Sequence, residues 1–434
     1  MATGYRLIDT ANNSVVRAWK STEGEELSIP NPLILPNGDH VCAASVDGVY
    51  SGFRLEEWSD ELSDSPVDMK VNTETPRMRF HVCSLPHTQT TSAYLACAYT
   101  AKVINFCRMM VARGHEVFLY SGDENDAPCT EHISCVTEAD RAAHVGDAHF
   151  TSASFDYSLD FWRKANAKMA EEIRKRAQQK DFICVIGGLA QKQIADTLPN
   201  MITVEFGVGY GGTFTKFRVF ESYAWMHTVY GAQCGGDPHR ADGNWWDVVI
   251  PGYLDPAMFP FSAEKDDYFL FIGRLVERKG FRIAADVCFD LGARLIVAGQ
   301  GEPPVGCEYV GVVGPEGRGR LMSRARAVFV PTQYLEPFGN VNVEAQACGT
   351  PVITTDWGAF PETVVDGVTG FRCRTFGEFK RAALRCGELD PKTIRDRAAN
   401  LYSLDTIGAK YETYFSRLLH LWSDGWYEGR DFGK

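Results

Sequence analysis

The feature that most constrains this chain is an alternation of short apolar runs with helix-length amphipathic stretches, sustained from about residue 78 to residue 372. In the second half, apolar runs at 268–272, 293–298, 327–330 and 351–355 read as strands buried on both faces. Helices are expected between them at 281–291, 320–325 and near 360–365, with further helices to the end. The first half repeats the scheme, with strands at 78–83, 115–120, 181–186 and 201–206 and helices at 92–113 and 156–179. Strands separated by a helix are most simply parallel, because only a crossover of a dozen or more residues returns the chain in the same direction. The polar break Glu264-Lys265-Asp266-Asp267 separates the two series. The expectation is therefore an α/β protein of two doubly wound, Rossmann-like lobes joined near residue 260. Ligands of such sheets bind outside the carboxyl ends of the strands where the strand order reverses, which with two facing lobes means the cleft between them.

The flanks differ. Residues 1–60 hold short β-type runs (5–9, 14–19) punctuated by Asn12-Asn13, Pro30, Pro32, Pro36 and Asn37-Gly38-Asp39, and read as a small β-rich module. Residues 61–76 continue an acidic, polar stretch that reads as a linker. The lobes then run from 77 to 258 and from 259 to 415, leaving a C-terminal segment at 416–434. A net charge of −12 makes nucleic acid a disfavoured partner. No apolar run reaches the ~18 residues of a membrane span, so no stable membrane insertion is expected. The 13 cysteines are scattered without a Cys-x-x-Cys pair, a reduced, cytoplasmic pattern.

Two stretches carry chemistry. Gly273-Arg274-Leu275-Val276-Glu277-Arg278-Lys279-Gly280 directly follows a strand; Arg274 offers a planar fork for phosphate oxygens and Lys279 a point charge. Taken alone, this is as readily a solvated basic turn. The second stretch is Glu336-Pro337-Phe338-Gly339, followed by a helix expected to begin near Asn340 and to carry Glu344 about one turn inside. A helix start preceded by glycine presents unpaired N–H groups to an anion. Two carboxylates around it can accept from sugar hydroxyls, or can simply serve as a capping or salt-bridged pair.

Together these residues resemble the retaining family 4 type of GT-B glycosyltransferases (glycosyl transferases group 1). The resemblance is carried by Gly273-Arg274, Lys279-Gly280, Val330-Pro331-Thr332, Glu336-Pro337-Phe338-Gly339, Glu344-Ala345, 347–353 and Gly367-Val368-Thr369-Gly370-Phe371, in order, over residues 268–372. It implies a nucleoside-diphosphate-sugar donor (UDP- or GDP-sugar) as co-substrate, no cofactor and no metal. Gly273, Arg274, Lys279, Gly339, Asn340, Val341 and Glu344 would hold the donor, with Glu344 on the ribose, Glu336 on the sugar hydroxyls, and 310–314 near the base. It also implies that the last helix packs back across the first lobe, with Trp422, Trp426 and Tyr427 as its anchors. Residues 1–60 resemble small β modules of phage tail-associated proteins, which would place the chain in a phage host's cytoplasm.

The chain departs from that pattern in three places. Asn340 and Asn342 replace apolar or variable residues, a change expected to alter sugar contacts. The first loop of the N-terminal lobe reads Pro86-His87-Thr88-Gln89-Thr90-Thr91-Ser92 where paired glycines are usual; its hydroxyls would replace bare backbone at the phosphates, or the loop would serve the acceptor. Glu205 stands near the position of a family histidine, so Glu205 and His87 compete for a catalytic role beside Glu336. The glycine-rich 207–212 run reads as a ligand-hugging or acceptor loop. Phe214, Phe217, Phe220, Tyr223, Trp225, Trp245 and Trp246 read as core or as an acceptor-stacking set. Two other functions stay open: a viral-type glycosyltransferase acting on nucleic acid, and a non-catalytic sugar- or nucleotide-binding module of a particle.

Overall fold

The computed structural model describes residues 76–146, 150 and 156–424, together with the backbone of six strands within the first 59 residues. The chain divides into two compact units, Met1–Glu74 and Thr75–Lys434. In the first unit β1 (Thr3–Asp9), β2 (Ser14–Lys20), β3 (Leu33–Ile34), β4 (His40–Val41), β5 (Val49–Tyr50) and β6 (Phe53–Ser59) form a sheet of order β2-β1-β6-β5 and a β3–β4 ribbon, all antiparallel. Of the expected linker at 61–76, residues 61–75 lie outside the described residues.

The second unit holds two parallel sheets. The first is built from β7 (Arg79–Cys83), β8 (Glu116–Gly122), β9 (Glu131–Val136), β10 (Phe182–Val185), β11 (Ile202–Glu205), β12 (Phe217–Phe220) and β13 (Val248–Val249), in the order β13-β12-β11-β10-β7-β8-β9. Its order reverses between β7 and β10. Helices α1 (Ala98–Ala112), α2 (Glu138–Val145), α3 (Asp160–Arg176), α4 (Lys192–Thr197) and α5 (Tyr223–Gln233) belong to this lobe. The second sheet has β14 (Phe269–Ile272), β15 (Leu295–Ala298), β16 (Glu308–Tyr309), β17 (Val328–Val330), β18 (Val352–Thr355) and β19 (Gly370–Cys373), in the order β16-β15-β14-β17-β18-β19. Its order reverses between β14 and β17, so the two stretches singled out in sequence lie side by side at the switch point. Helices α6 (Phe281–Asp290), α7 (Pro315–Arg324), α8 (Asn340–Ala347), α9 (Phe360–Thr363), α10 (Phe376–Arg385), α11 (Pro391–Tyr402) and α12 (Leu404–Asp424) complete it. The central strands β10, β11, β14, β15 and β18 are buried at every position, as parallel strands covered on both faces must be.

The observed elements correct the sequence reading in places. The helix expected from residue 92 begins at Ala98, because Ser92–Tyr94 forms a 3-10 turn whose first N–H donates to Asp126 Oδ2 at 2.7 Å. The helix expected at 320–325 begins at Pro315, whose ring suits the first turn. β9 and α2 were not expected; β9 is partly exposed and α2 buries no residue, so neither leaves an apolar period.

The return of α12 begins earlier than residue 416. Its Ile407, Tyr411, Tyr414, Phe415 and Leu418 join the core formed by Phe80, Phe106, Phe182 and Phe206 of the first lobe. Tyr411 Oη donates to the Phe206 carbonyl at 2.5 Å, and Arg113 of α1 pairs with Glu412 at 2.9 Å. The expected anchors Trp426 and Tyr427, and the side chain of Trp422, lie outside the described residues.

Candidate functional site

The wall contributed by the second lobe is made by the loops after β14 and β17. They press together so closely that a Cβ on Gly280, whose φ is +75°, would lie 2.0 Å from the Pro331 carbonyl oxygen. This contact sets Lys279 against Glu336, and their Nζ and Oε2 are 2.9 Å apart. Gly358 leaves room for the Glu336 backbone: a Cβ there would stand 2.8 Å from Glu336 N. Tyr334 completes the group. Its ring lies 4.9 Å from both the Arg278 guanidinium and the Lys279 ammonium, and its hydroxyl lies close to the Glu336 carboxylate and the Tyr210 hydroxyl. Burial, and then the Glu336 charge, push both tyrosine hydroxyls above their ordinary range, so both keep their protons.

Next to this group α8 begins. Gly339 caps it in the left-handed region at φ +83°, which lets the chain turn sharply but supplies no side chain to close the first turn. Asn340 and Val341 stand half-buried at that start, and Glu344 lies one turn further on. Glu344 is ion-paired with Arg318 of α7. Gly273 follows β14, and its carbonyl oxygen would be 1.8 Å from a Cβ on Gly299. Arg274 beside it is exposed. The expected base-side segment 310–314 continues from β16, where Gly299 N donates to the Gly311 carbonyl at 2.8 Å and Val312 is exposed.

The first lobe reaches this wall directly. Ser222 Oγ donates to the Pro337 carbonyl at 2.6 Å, and Phe338 fills the space that a Cβ on Gly252 would occupy. The first two N–H groups of α5, those of Tyr223 and Ala224, donate to the Glu362 carboxylate at 2.9 and 2.8 Å. Behind them Lys102 and Glu221 form a nearly enclosed ion pair at 2.6 Å.

Two expected catalytic candidates belong to the first lobe. Glu205 ends β11 with one carboxylate oxygen accepting from Phe214 N, Thr215 N and Thr215 Oγ1 at 2.9–3.3 Å. It is buried, its other oxygen is unpartnered, and burial pushes its carboxyl up to about 7. His87 is equally enclosed, with Nε2 3.5 Å from Cys97 Sγ and its ring stacked on Trp162. Burial, then His144 and Arg141, pushes it down to about 4. The contacts described for the two residues lie within the first lobe.

The reason lies in the covering of the first loop. Residues 85–91 are buried throughout, and their polar groups are used internally: Thr88 with Thr100 at 2.7 Å, Gln89 with Glu138 of α2 at 2.5 Å, Thr90 with Ser84 at 3.3 Å. The loop hydroxyls therefore do not replace bare backbone at an open surface. Asn342 likewise faces inward, donating to Thr363 Oγ1 at 2.6 Å and accepting from Gln346 Nε2 at 2.6 Å, so it fixes α8 against α9. The glycine run serves close backbone packing: a Cβ on Gly211 would lie 2.8 Å from the Gly187 carbonyl, and one on Gly209 would lie 2.7 Å from the Tyr99 hydroxyl. Phe217 and Phe220 are core, whereas Tyr223 is exposed. The sequence reading passed over Tyr334, Tyr210, Arg318 and Glu362. Only Tyr334 left a trace, two positions before Glu336 in the same loop. Among the described residues no group of three or more His, Cys, Asp or Glu side chains is placed to hold a metal.

Comparison with known proteins follows the same division of the chain. Residues 258–383 match the family model for glycosyl transferases group 1. D-inositol 3-phosphate glycosyltransferase of Mycobacterium tuberculosis (strain ATCC 25618 / H37Rv) is 34% identical over 165 residues, covering 31% of this chain and 33% of the relative. The match thus spans about a third of the curated relatives' length. Sucrose-phosphate synthase from Thermosynechococcus elongatus superposes with a TM-score of 0.58 at 16% identity, covering 79% of this chain and 99% of that one. AviGT4, a glycosyltransferase involved in avilamycin A biosynthesis, gives 0.54 at 22% identity, covering 79% and 98%. Alr3699/HepE of Anabaena, solved in complex with UDP and glucose, gives 0.54 at 15% identity, covering 78% and 100%. The second unit has the two-lobed GT-B fold of these structures.

Proposed function

We propose that the chain is a retaining, metal-independent glycosyltransferase that moves a hexose from a UDP- or GDP-sugar to an acceptor hydroxyl. The observation that carries this reading is the Lys279–Glu336 pair beside the uncapped start of α8, with Arg274 exposed at the adjoining strand end. When the bond from the sugar C1 to the diphosphate breaks, negative charge grows on the leaving phosphate. In this reading that charge is met by the Arg274 fork, the Lys279 ammonium and the N–H groups of Asn340 and Val341. Glu336 accepts from sugar hydroxyls, its charge balanced by Lys279 until the donor arrives. Glu344 accepts from the ribose, its charge balanced by Arg318. The family model over residues 258–383 and the UDP and glucose held by Alr3699/HepE both support a nucleotide-sugar donor. Twelve free cysteines among the described residues support a reducing, cytoplasmic setting.

The test is donor hydrolysis and transfer by the full chain with UDP-glucose and GDP-mannose, in the presence of a chelator. Lys279→Ala and Glu336→Ala are each expected to lower turnover by about 10²–10³-fold, the usual effect of removing a preorganised charge stabiliser. Unchanged turnover in both variants would overturn the site. The anomeric coupling of the product reports retention directly.

A further inference from the structure

α5 is an apolar helix with no buried residue. α2 also buries nothing, but its Glu138, Asp140, Arg141 and His144 give it an ordinary polar surface. α5 instead carries Tyr223, Trp225, Met226, Val229 and Tyr230. Tyr223, His227 and Tyr230 follow helical spacing along one side, with ring centroids 6.3 Å apart at each step. That side borders a shallow, open depression of about 340 Å³ lined by His227, Tyr230, Gly231, Cys234, Pro238 and Ala241. The other side of the helix is tied to the donor wall: Trp225 packs edge-on against Tyr210 at 5.2 Å, and Tyr210 meets Tyr334 beside Glu336.

We propose that this aromatic track binds a neutral saccharide portion of the acceptor, leading from the donor wall over the first lobe. The inference rests on the glycosyl-transfer reading above. Aromatic faces carry negative charge density and attract the C–H faces of sugar rings, and the exposed Tyr223 and His227 rings, followed by the half-buried Tyr230, offer successive faces of this kind. The charges argue against a phosphorylated ligand. The start of α5, which would otherwise attract an anion, is occupied by the Glu362 carboxylate. The nearby cations Arg218 and Arg240 are paired with Asp247 and Asp237.

The experiment is saturation-transfer NMR and acceptor kinetics on the full chain, using neutral hexasaccharides (α- and β-linked glucans, mannans and galactans) against myo-inositol 1-phosphate and glucose 6-phosphate. Binding of a neutral hexasaccharide is expected, weakened about three- to tenfold by Tyr223→Ala and by His227→Ala, with acceptor KM raised more than kcat is lowered. Phe289→Ala, which removes a ring 86% exposed on the other lobe, is the control. Preference for the sugar phosphates, failure to bind any neutral hexasaccharide, or a self-association that Tyr223→Ala abolishes would overturn the inference. Donor hydrolysis by the unaltered chain separates the two readings. If hydrolysis is present while neutral glycans fail, only the track is wrong. If hydrolysis is absent, the donor site is wrong as well.

Discussion

Glu205→Gln separates a buried structural carboxylate from a catalytic one. In the folded chain the carboxyl is held at about 7, against an ordinary value of 4.5. Between those values the folded state binds the proton that the unfolded chain has released, so stability falls as pH rises from 4.5 to 7. One pKa unit corresponds to about 1.36 kcal/mol, so the full effect is about 3 kcal/mol. Most of it lies between pH 5 and pH 8. A neutral glutamine keeps an oxygen for Thr215 and Phe214 and has no proton to lose. Its advantage over the wild type is expected to grow by about 2.5 kcal/mol between those two pH values. Urea unfolding of both proteins at pH 5 and pH 8 measures this directly, and transfer assays run alongside are expected to change by less than about threefold. A pH-independent difference would refute the burial argument. A loss of transfer of about 10²-fold or more would return Glu205 to the catalytic machinery.

Two further outcomes follow from contacts that hold the lobes. Phe415→Ala removes a fully buried ring that meets Phe80, Phe182 and Phe106 at 4.7, 5.0 and 6.0 Å, and is expected to cost about 3–5 kcal/mol. For a unit of about 360 residues that corresponds to a fall of about 4–7 °C in Tm, and a fall under about 2 °C by differential scanning fluorimetry would contradict the docking of α12. Glu362→Ala removes the acceptor for two N–H groups of α5; because the carboxylate is exposed, the loss in stability is expected at only about 0.5–1 kcal/mol. Its larger effect should be on the lobe closure of the ligand-free chain, seen as a raised radius of gyration in solution scattering and partly reversed in Glu362→Gln. An unchanged radius would deny the contact a role in closure.

The parts of the molecule legible in sequence are those that depend on burial period. Strands covered on both faces leave uninterrupted apolar runs, and the helices between them force a parallel order. The loops after β14 and β17, with Lys279, Glu336 and Gly339, followed from those runs and a familiar spacing. What stayed hidden depends on which segment covers which. Polar β9 and α2 gave no period, yet Glu138 of α2 bonds Gln89 in the loop that encloses His87. The surroundings of Glu205 were not legible, because a turn at Phe214 and Thr215, ten residues on, folds over its carboxylate. Arg318 and Tyr210 meet Glu344 and Tyr334 across gaps in sequence that no local pattern encodes.

The docking of α12 has a consequence for how the molecule is made. The carbonyl of Phe206 is satisfied by a tyrosine 205 residues later in the chain. The lobe translated first is therefore the last to be finished: its core stays open along one side while the whole second lobe is being synthesised. Late closure of this kind slows folding and leaves apolar surface exposed to other chains. In a protein whose lobes look separable, assembly is coupled end to end, and the first lobe expressed alone would present Phe80, Phe106 and Phe182 without the rings that cover them.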